Sequence, residues 1–357
     1  MTDLFENPLG TDGFEFVEFT SPDPARLAMQ FETMGFTAVA RHRSKDVVRY
    51  RQGDINFLLN MEPNGQAAAF RHDHGPSANA MAFRVRDAAR ALAMAVDRGA
   101  TPVECRAGPM ELNIPAIEGI GGSLLYLVDR YGSREIYDVD FTPIAGAAVA
   151  ETCSGVGLTY LDHLTHNVFR GNMGQWAGFY ERIFNFRQIR YFDIEGKQTG
   201  LLSKAMTSPD GKIRIPLNES QDDRSQIEEF LRDYGGEGIQ HLALGTGDIM
   251  RTVETMRERG VVFQDTSDSY YAGVEARVPG HGQDLKRLQA NRILLDGAPT
   301  QGQGLLLQIF TENVCGPIFF EIIERQGNEG FGEGNFKALF ESLELDQIRR
   351  GVLAIEA

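Results

Sequence analysis

Apolar positions along this chain follow two periods. Runs that alternate or are rich in β-branched residues, such as VVRYRQGDINFLLN, SLLYLVD, RYFDIEG, GLLSKAMTS, KIRIPLN, LLLQIF and IFFEII, read as strands. Other stretches place apolar residues at helical intervals, with Leu92 and Val96 in one and Val253 and Met256 in another. These two helices sit in matching contexts. When residues 79–103 are laid over 240–263, Asp87 falls on Asp248 and Gly99 on Gly260, and both copies read as strand, turn, helix, Gly stop, strand. The glycines stand where a left-handed residue ends a helix. A second overlay, of GFEFVEF onward with HLTHNVF onward, puts Gly35-Phe36 on Asn185-Phe186. The pattern therefore predicts four βαβββ units arranged as two pairs, an α+β chain of two domains. The boundary is expected in the aperiodic, Gly-containing PIAGAAVAETCSGVG, which gives an N-terminal domain over 1–150 and a C-terminal one over 151–357. Residues before the first strand read as a loosely held arm. The last segment, GFGEGNFKALFESLELDQIRRG, reads as a Gly-rich entry and a helix with Phe336, Leu339, Phe340 and Leu343 on one stripe, able to dock on the body or to close as a lid behind Gly332 and Gly334.

Composition narrows the function class. With 357 residues and 42% hydrophobic content, two ordinary cores are within reach. Fifty acidic against 35 basic residues, a formal charge of −15 with no long basic run, disfavours nucleic acid and anionic membrane surfaces as partners. Cys105, Cys153 and Cys315 are odd in number and far apart, so neither a disulfide framework nor a CxxC zinc site is indicated, and a reducing cytoplasm fits. No apolar run approaches a membrane span, and the N-terminus lacks a signal-peptide pattern.

Three side chains carry candidate chemistry: His163 in LDHLTHNV, His241 in GIQHLAL and Glu321 in FFEII, each in a strand-like segment of the second half. A lone strand histidine is ordinarily a hydrogen-bonded structural group. A carboxylate amid FFEII, however, is costly to bury alone, and a cation removes that cost. Two His and one carboxylate on one face of a metal leave positions open for substrate and dioxygen, as in non-heme Fe(II) oxygenases. The overlays set Gly13, Ala80 and Tyr126 opposite these residues, so all three candidate ligands are missing from the first half. His166 faces away from His163 by strand alternation, and only one of them can coordinate. His42, His72, His74 and His281 are expected at the surface, and Trp176 and Phe179 in the core.

DHLTHNV, SQIEEF, GIQHLAL, LLLQIF, FFEIIER and GFGEGNFKALFE, in this order, resemble the 4-hydroxyphenylpyruvate dioxygenase family of the vicinal oxygen chelate superfamily over essentially the whole chain. The resemblance implies two open-barrel domains, the second catalytic, with the C-terminal helix as a lid. It implies Fe(II) held by His163, His241 and Glu321. A pocket would contain Ser203, Asn218, Gln226 and Gln308 as catalytic polar groups, with Pro216, Gln240, Phe310, Phe319, Phe331, Asn335, Phe336 and Leu339 binding the substrate. Alternation would turn Gln240 away from the face of His241. The implied reaction takes 4-hydroxyphenylpyruvate and O2 to homogentisate and CO2 by oxidative decarboxylation, ring hydroxylation and side-chain migration, in a homo-oligomer, dimer or tetramer. The rival readings are 4-hydroxymandelate synthase, from which Pro216 and Phe336 are expected to distinguish it, an extradiol catechol dioxygenase, and an inactive ligand-binding protein of the same fold.

Overall fold

The structure, a computed structural model, describes residues 3–104, 107, 108, 110–195, 200–332, 335, 347, 348, 350 and 351. Its strands are β1 (Thr11–Thr20), β2 (Thr37–His42), β3 (Val47–Gln52), β4 (Ile55–Asn60), β5 (Ser77–Val85), β6 (Pro102–Val103), β7 (Ala116–Glu118), β8 (Leu124–Val128) and β9 (Phe141–Pro143) in the first half. The second half holds β10 (Leu158–Val168), β11 (Arg187–Glu195), β12 (Gly200–Thr207), β13 (Arg214–Ser220), β14 (Gly238–Thr246), β15 (Leu294–Gly297), β16 (Leu305–Phe310) and β17 (Phe319–Gln326). One open sheet runs β6-β7-β8-β5-β1-β4-β3-β2-β9, the other β15-β16-β17-β14-β10-β13-β12-β11. Apart from β9, the two orders are the same, so four βαβββ units in two pairs are what the chain forms.

Local chemistry repeats with the topology. Asp87 accepts from the Arg90 N–H at 2.9 Å and Asp248 from the Arg251 N–H at 3.0 Å, capping helices Ala88–Asp97 and Ile249–Glu258. Gly99 and Gly260 follow these helices at φ 89° and 94°. Gly35 and Asn185 also share positive φ, 92° and 60°, and end helices Pro24–Thr33 and Met173–Phe184. The ladders correct one alignment. Ala82 pairs with Phe16 and Tyr126, whereas Ala243 pairs with His163 and Glu321. The first-half counterpart of His163 is therefore Phe16, not Gly13. The third unit spends three more residues between strand and helix stop, and an overlay anchored on the stop carries that difference into the strand. Phe16 and Tyr126, ring centroids 5.6 Å apart, fill the place that the ligands take in the second half.

Three further expectations change. The stretch expected as a linker contains a helix, Ala147–Ser154, and remains tied to both sheets, since the Val156 N–H donates to Gln52 Oε1 at 2.6 Å and Asp54 N–H to the Thr159 carbonyl at 2.8 Å. The first ten residues, where described, are not loose: Leu4 N–H donates to the Pro209 carbonyl at 2.7 Å, Asn185 Nδ2 to the Glu6 carbonyl at 2.6 Å, and Leu9 is buried. Nor do the halves keep separate cores. Phe320 of β17 lies 5.8 Å from Phe57 and 6.4 Å from Phe19, and Phe83 lies 5.4 Å from Phe184, within one hydrophobic cluster. Among the described residues no helix is long and apolar enough to cross a membrane.

Candidate metal centre

The central strand decides how three remote residues meet. On β14, Ala243 lies between His163 of β10 and Glu321 of β17, while His241, one step away on the same face, lies between Thr165 and Phe319. His163 and Glu321 thus reach toward each other over a methyl group, and His241 enters from the adjacent rung. Glu321 Oε2 stands 3.2 Å from His163 Nε2 and 3.6 Å from His241 Nε2, and all three side chains are buried. One donor atom from each lies within 4.8 Å of the others.

Each donor is oriented from behind. His163 Nδ1 meets Asp162 Oδ1 at 2.8 Å and His241 Nδ1 meets Gln240 Oε1 at 2.9 Å. An oxygen acceptor at Nδ1 places the proton there and leaves the Nε2 lone pair facing inward, as a metal requires. The other oxygen of Glu321 accepts from Gln308 Nε2 at 2.7 Å. The chain continues outward: Asn335 Nδ2 donates to Gln308 Oε1 at 2.8 Å, and Tyr270 OH to Asn335 Oδ1 at 2.7 Å. Gln240 Nε2 donates to Gln226 Oε1 at 2.7 Å. Burial pushes the Glu321 carboxyl up, but the two imidazoles outweigh it and hold the group at about 2. Burial opposes charge on His163 as well, yet Glu321 and Asp162 raise it, whereas burial leaves His241 depressed. A charged carboxylate and two inward nitrogens, shielded from water, fit a divalent cation.

Ser203, Pro216, Gln308, Phe310 and Phe331 line the small cavity around the triad, about 10 Å³, together with Thr165 and Phe192. Gln226, Gln240 and Phe319 instead border a larger cleft of about 270 Å³, and Phe319 stacks on His241 at 4.8 Å. Asn218 pairs with Ser203 across β12 and β13, and its buried Oδ1 has no partner, nor does Thr165 Oγ1. Gly332 takes φ +69°, and a Cβ there would meet Gln308 Oε1 at 2.4 Å. Phe336 and Leu339, and with them the expected lid stripe, lie outside the described residues. His166 turns away from the site, its Nε2 2.8 Å from Tyr180 OH. His281 is buried rather than at the surface, bonded to Glu275 at 3.1 Å, and half-buried His74 stacks on Tyr234 of the other half at 4.6 Å. Trp176 is half-buried and donates to Glu237 at 2.7 Å. Asp162 and Phe192 carried no periodic or motif signal of a role; Asp162 was visible only as the neighbour of a ligand.

The whole chain has close counterparts among known proteins. The family model described as "Hydroxyphenylpyruvate dioxygenase, HPPD, N-terminal" matches residues 5–142, and that of the "Glyoxalase/Bleomycin resistance protein/Dioxygenase superfamily" matches 160–277. A 4-hydroxyphenylpyruvate dioxygenase of Pseudomonas aeruginosa is 63% identical over 350 residues, 97% of each chain. A protein named Hemolysin VllY of Vibrio vulnificus is 64% identical, covering 97% of this chain and 98% of its own. Among solved structures, a mutant of 4-hydroxymandelate synthase from Streptomyces coelicolor superposes with a TM-score of 0.82 over 95% of this chain and 99% of that one at 24% identity, a likeness of fold. By sequence and by architecture, the chain belongs to the 4-hydroxyphenylpyruvate dioxygenase family of the vicinal oxygen chelate superfamily.

Proposed function

We propose that the chain is an Fe(II)-dependent dioxygenase that converts 4-hydroxyphenylpyruvate and O2 to homogentisate and CO2. The observation that carries this reading is the buried triad of His163, His241 and Glu321, with two inward nitrogens and a carboxylate oxygen converging on one point. Bound Fe(II) would supply a Lewis acid for the 2-oxo acid and the redox chemistry of O2. No external reductant is needed, because decarboxylation of the substrate's own 2-oxo acid supplies the electrons.

The protein's part is orientation and exclusion of water. Asp162 and Gln240 fix the two imidazoles, and Gln308 fixes the carboxylate. A buried acceptor without a partner costs about 1–3 kcal/mol, and the phenol hydroxyl of the substrate would relieve Asn218 Oδ1, with Ser203 beside it. Phe310 and Phe319 stand edge to face, centroids 6.1 Å apart, and offer ring surfaces to a phenol. Pro216 and Phe331 line the cavity around the triad, and Gln226, which borders the neighbouring cleft and bonds to Gln240, is assigned to substrate binding along with Asn335, Phe336 and Leu339 of the tail. The triad cavity is smaller than the substrate, so binding requires Phe331 to shift outward and then close. Residues 1–150 serve as a structural half and 151–357 as the catalytic one, in a cytoplasmic homo-oligomer, dimer or tetramer.

Anaerobic loading with Fe(II), followed by 4-hydroxyphenylpyruvate and O2, tests the reading. Expected are oxygen uptake, CO2 release and homogentisate on chromatography. 4-Hydroxymandelate as the main product would favour the synthase reading, and no oxygen uptake would favour an inactive binding protein.

A further inference from the structure

Behind His163 lies a buried polar cluster whose connections run in two directions. Arg325 grips Asp162 with both ends of its fork, Nε to Oδ2 at 2.7 Å and Nη2 to Oδ1 at 2.8 Å. Its remaining nitrogen, Nη1, donates to the carbonyls of Asn328 at 3.0 Å and Gly330 at 2.6 Å. Arg214 repeats the link, from Asp162 at 3.2 Å to Glu329 at 2.5 Å. The turn held in this way presents Phe331, whose ring stands edge-on to His163 at 5.5 Å. One guanidinium therefore touches both the carboxylate that orients a ligand and the backbone of the segment that covers the site.

We propose that Arg325 is a positioning residue that couples metal binding at His163 to closure of the turn at residues 327–332. When the turn is closed, its carbonyls fix the guanidinium, the guanidinium fixes Asp162, and Asp162 holds the Nδ1 proton of His163 so that Nε2 points inward. When the turn opens, that support loosens. The coupling is reciprocal, so a bound cation must in turn hold the turn closed. Lysine cannot substitute, because a single ammonium lacks the planar fork that satisfies a carboxylate and two carbonyls together. The inference rests on the metal reading of the triad.

The test uses the full chain with Co(II) as an anaerobic probe, followed by calorimetry, by electronic absorption and by hydrogen exchange of the peptide covering 327–332. In the unsubstituted protein, Co(II) is expected to slow exchange in this peptide several-fold. Arg325→Lys is expected to weaken Co(II) binding about 10- to 100-fold and to abolish the exchange difference, while Phe331→Leu, which removes the ring contact alone, retains the difference. Arg325→Lys with Co(II) affinity within twofold, or with the exchange difference intact, overturns the proposal. So does loss of the difference in Phe331→Leu, which decides the matter even if Arg325→Lys fails to fold. Co(II) that binds without slowing exchange in the unsubstituted protein overturns the coupling alone; no Co(II) binding overturns the metal reading with it.

Discussion

A side chain larger than methyl at position 243 would occupy the space over which His163 and Glu321 approach each other. Ala243 is fully buried between them on the ladder, and added methylenes in a packed interior cost about 1–3 kcal/mol. Ala243→Leu is therefore expected to leave a folded protein, by circular dichroism, whose divalent-metal affinity in calorimetry has fallen at least about 100-fold, since two of the three candidate ligands are displaced. Unchanged affinity would show that the ion binds elsewhere. His166 makes a second prediction. Burial pushes its imidazole down to about 3, so the native state stays neutral where the unfolded chain takes up a proton. A depressed histidine costs nothing above about pH 6.5 and costs stability increasingly as pH falls, roughly 2 kcal/mol by pH 5. Denaturant midpoints measured from pH 7 to pH 4.5 should fall less steeply in His166→Gln, and parallel slopes would refute the assignment. Strand alternation made it legible that only one of His163 and His166 can coordinate, and the family resemblance pointed to His163. The bracing by Asp162, Gln240 and Gln308 was not legible, because these side chains meet an imidazole or a carboxylate only through rotamers that no pattern encodes.

At the scale of elements, the repeated Asp and Gly positions were the clearest part of the sequence, and the structure shows each Asp to be a helix cap, a bond between residues three apart that needs no tertiary context. Asp248→Ala leaves an N–H of helix Ile249–Glu258 without its acceptor, and Asp87→Ala does the same to helix Ala88–Asp97. Each is expected to cost about 1 kcal/mol in urea unfolding, with metal binding unchanged; a loss under about 0.3 kcal/mol at either site would contradict the equivalence of the two helices. The strand counterparts were less legible. Helix stops at Gly35 and Asn185 are recognisable by their chemistry, but the number of residues spent in turn and helix before them is free to vary, which is how Gly13 was set opposite His163 in place of Phe16. Once corrected, the comparison is sharper: an aromatic pair occupies the first half where donors occupy the second.

Across the whole molecule, the two sheets are joined by aromatic contacts that neither sheet's own periodicity foretells. Period-two alternation tells which residues leave a strand on the same face, not which other sheet that face will meet. Phe320 is fully buried against Phe19 and Phe57 of the other half, so Phe320→Ala is expected to cost about 3–5 kcal/mol and to lower a single unfolding transition. Calorimetry that shows two separated transitions would mean that the halves are independent domains after all. The shared core gives the first half a structural part: Phe19 and Phe57 form part of the surface on which β17, carrying Glu321, is laid.

All of these scales meet in the position of one ion. Anomalous diffraction from crystals grown anaerobically with Fe(II) would locate it directly. Iron is expected within coordination distance of His163 Nε2, His241 Nε2 and a Glu321 oxygen, on the side of the cavity lined by Ser203 and Phe310. Iron bound through His166, held by fewer than three of these side chains, or found in another cavity would contradict the assignment of the site.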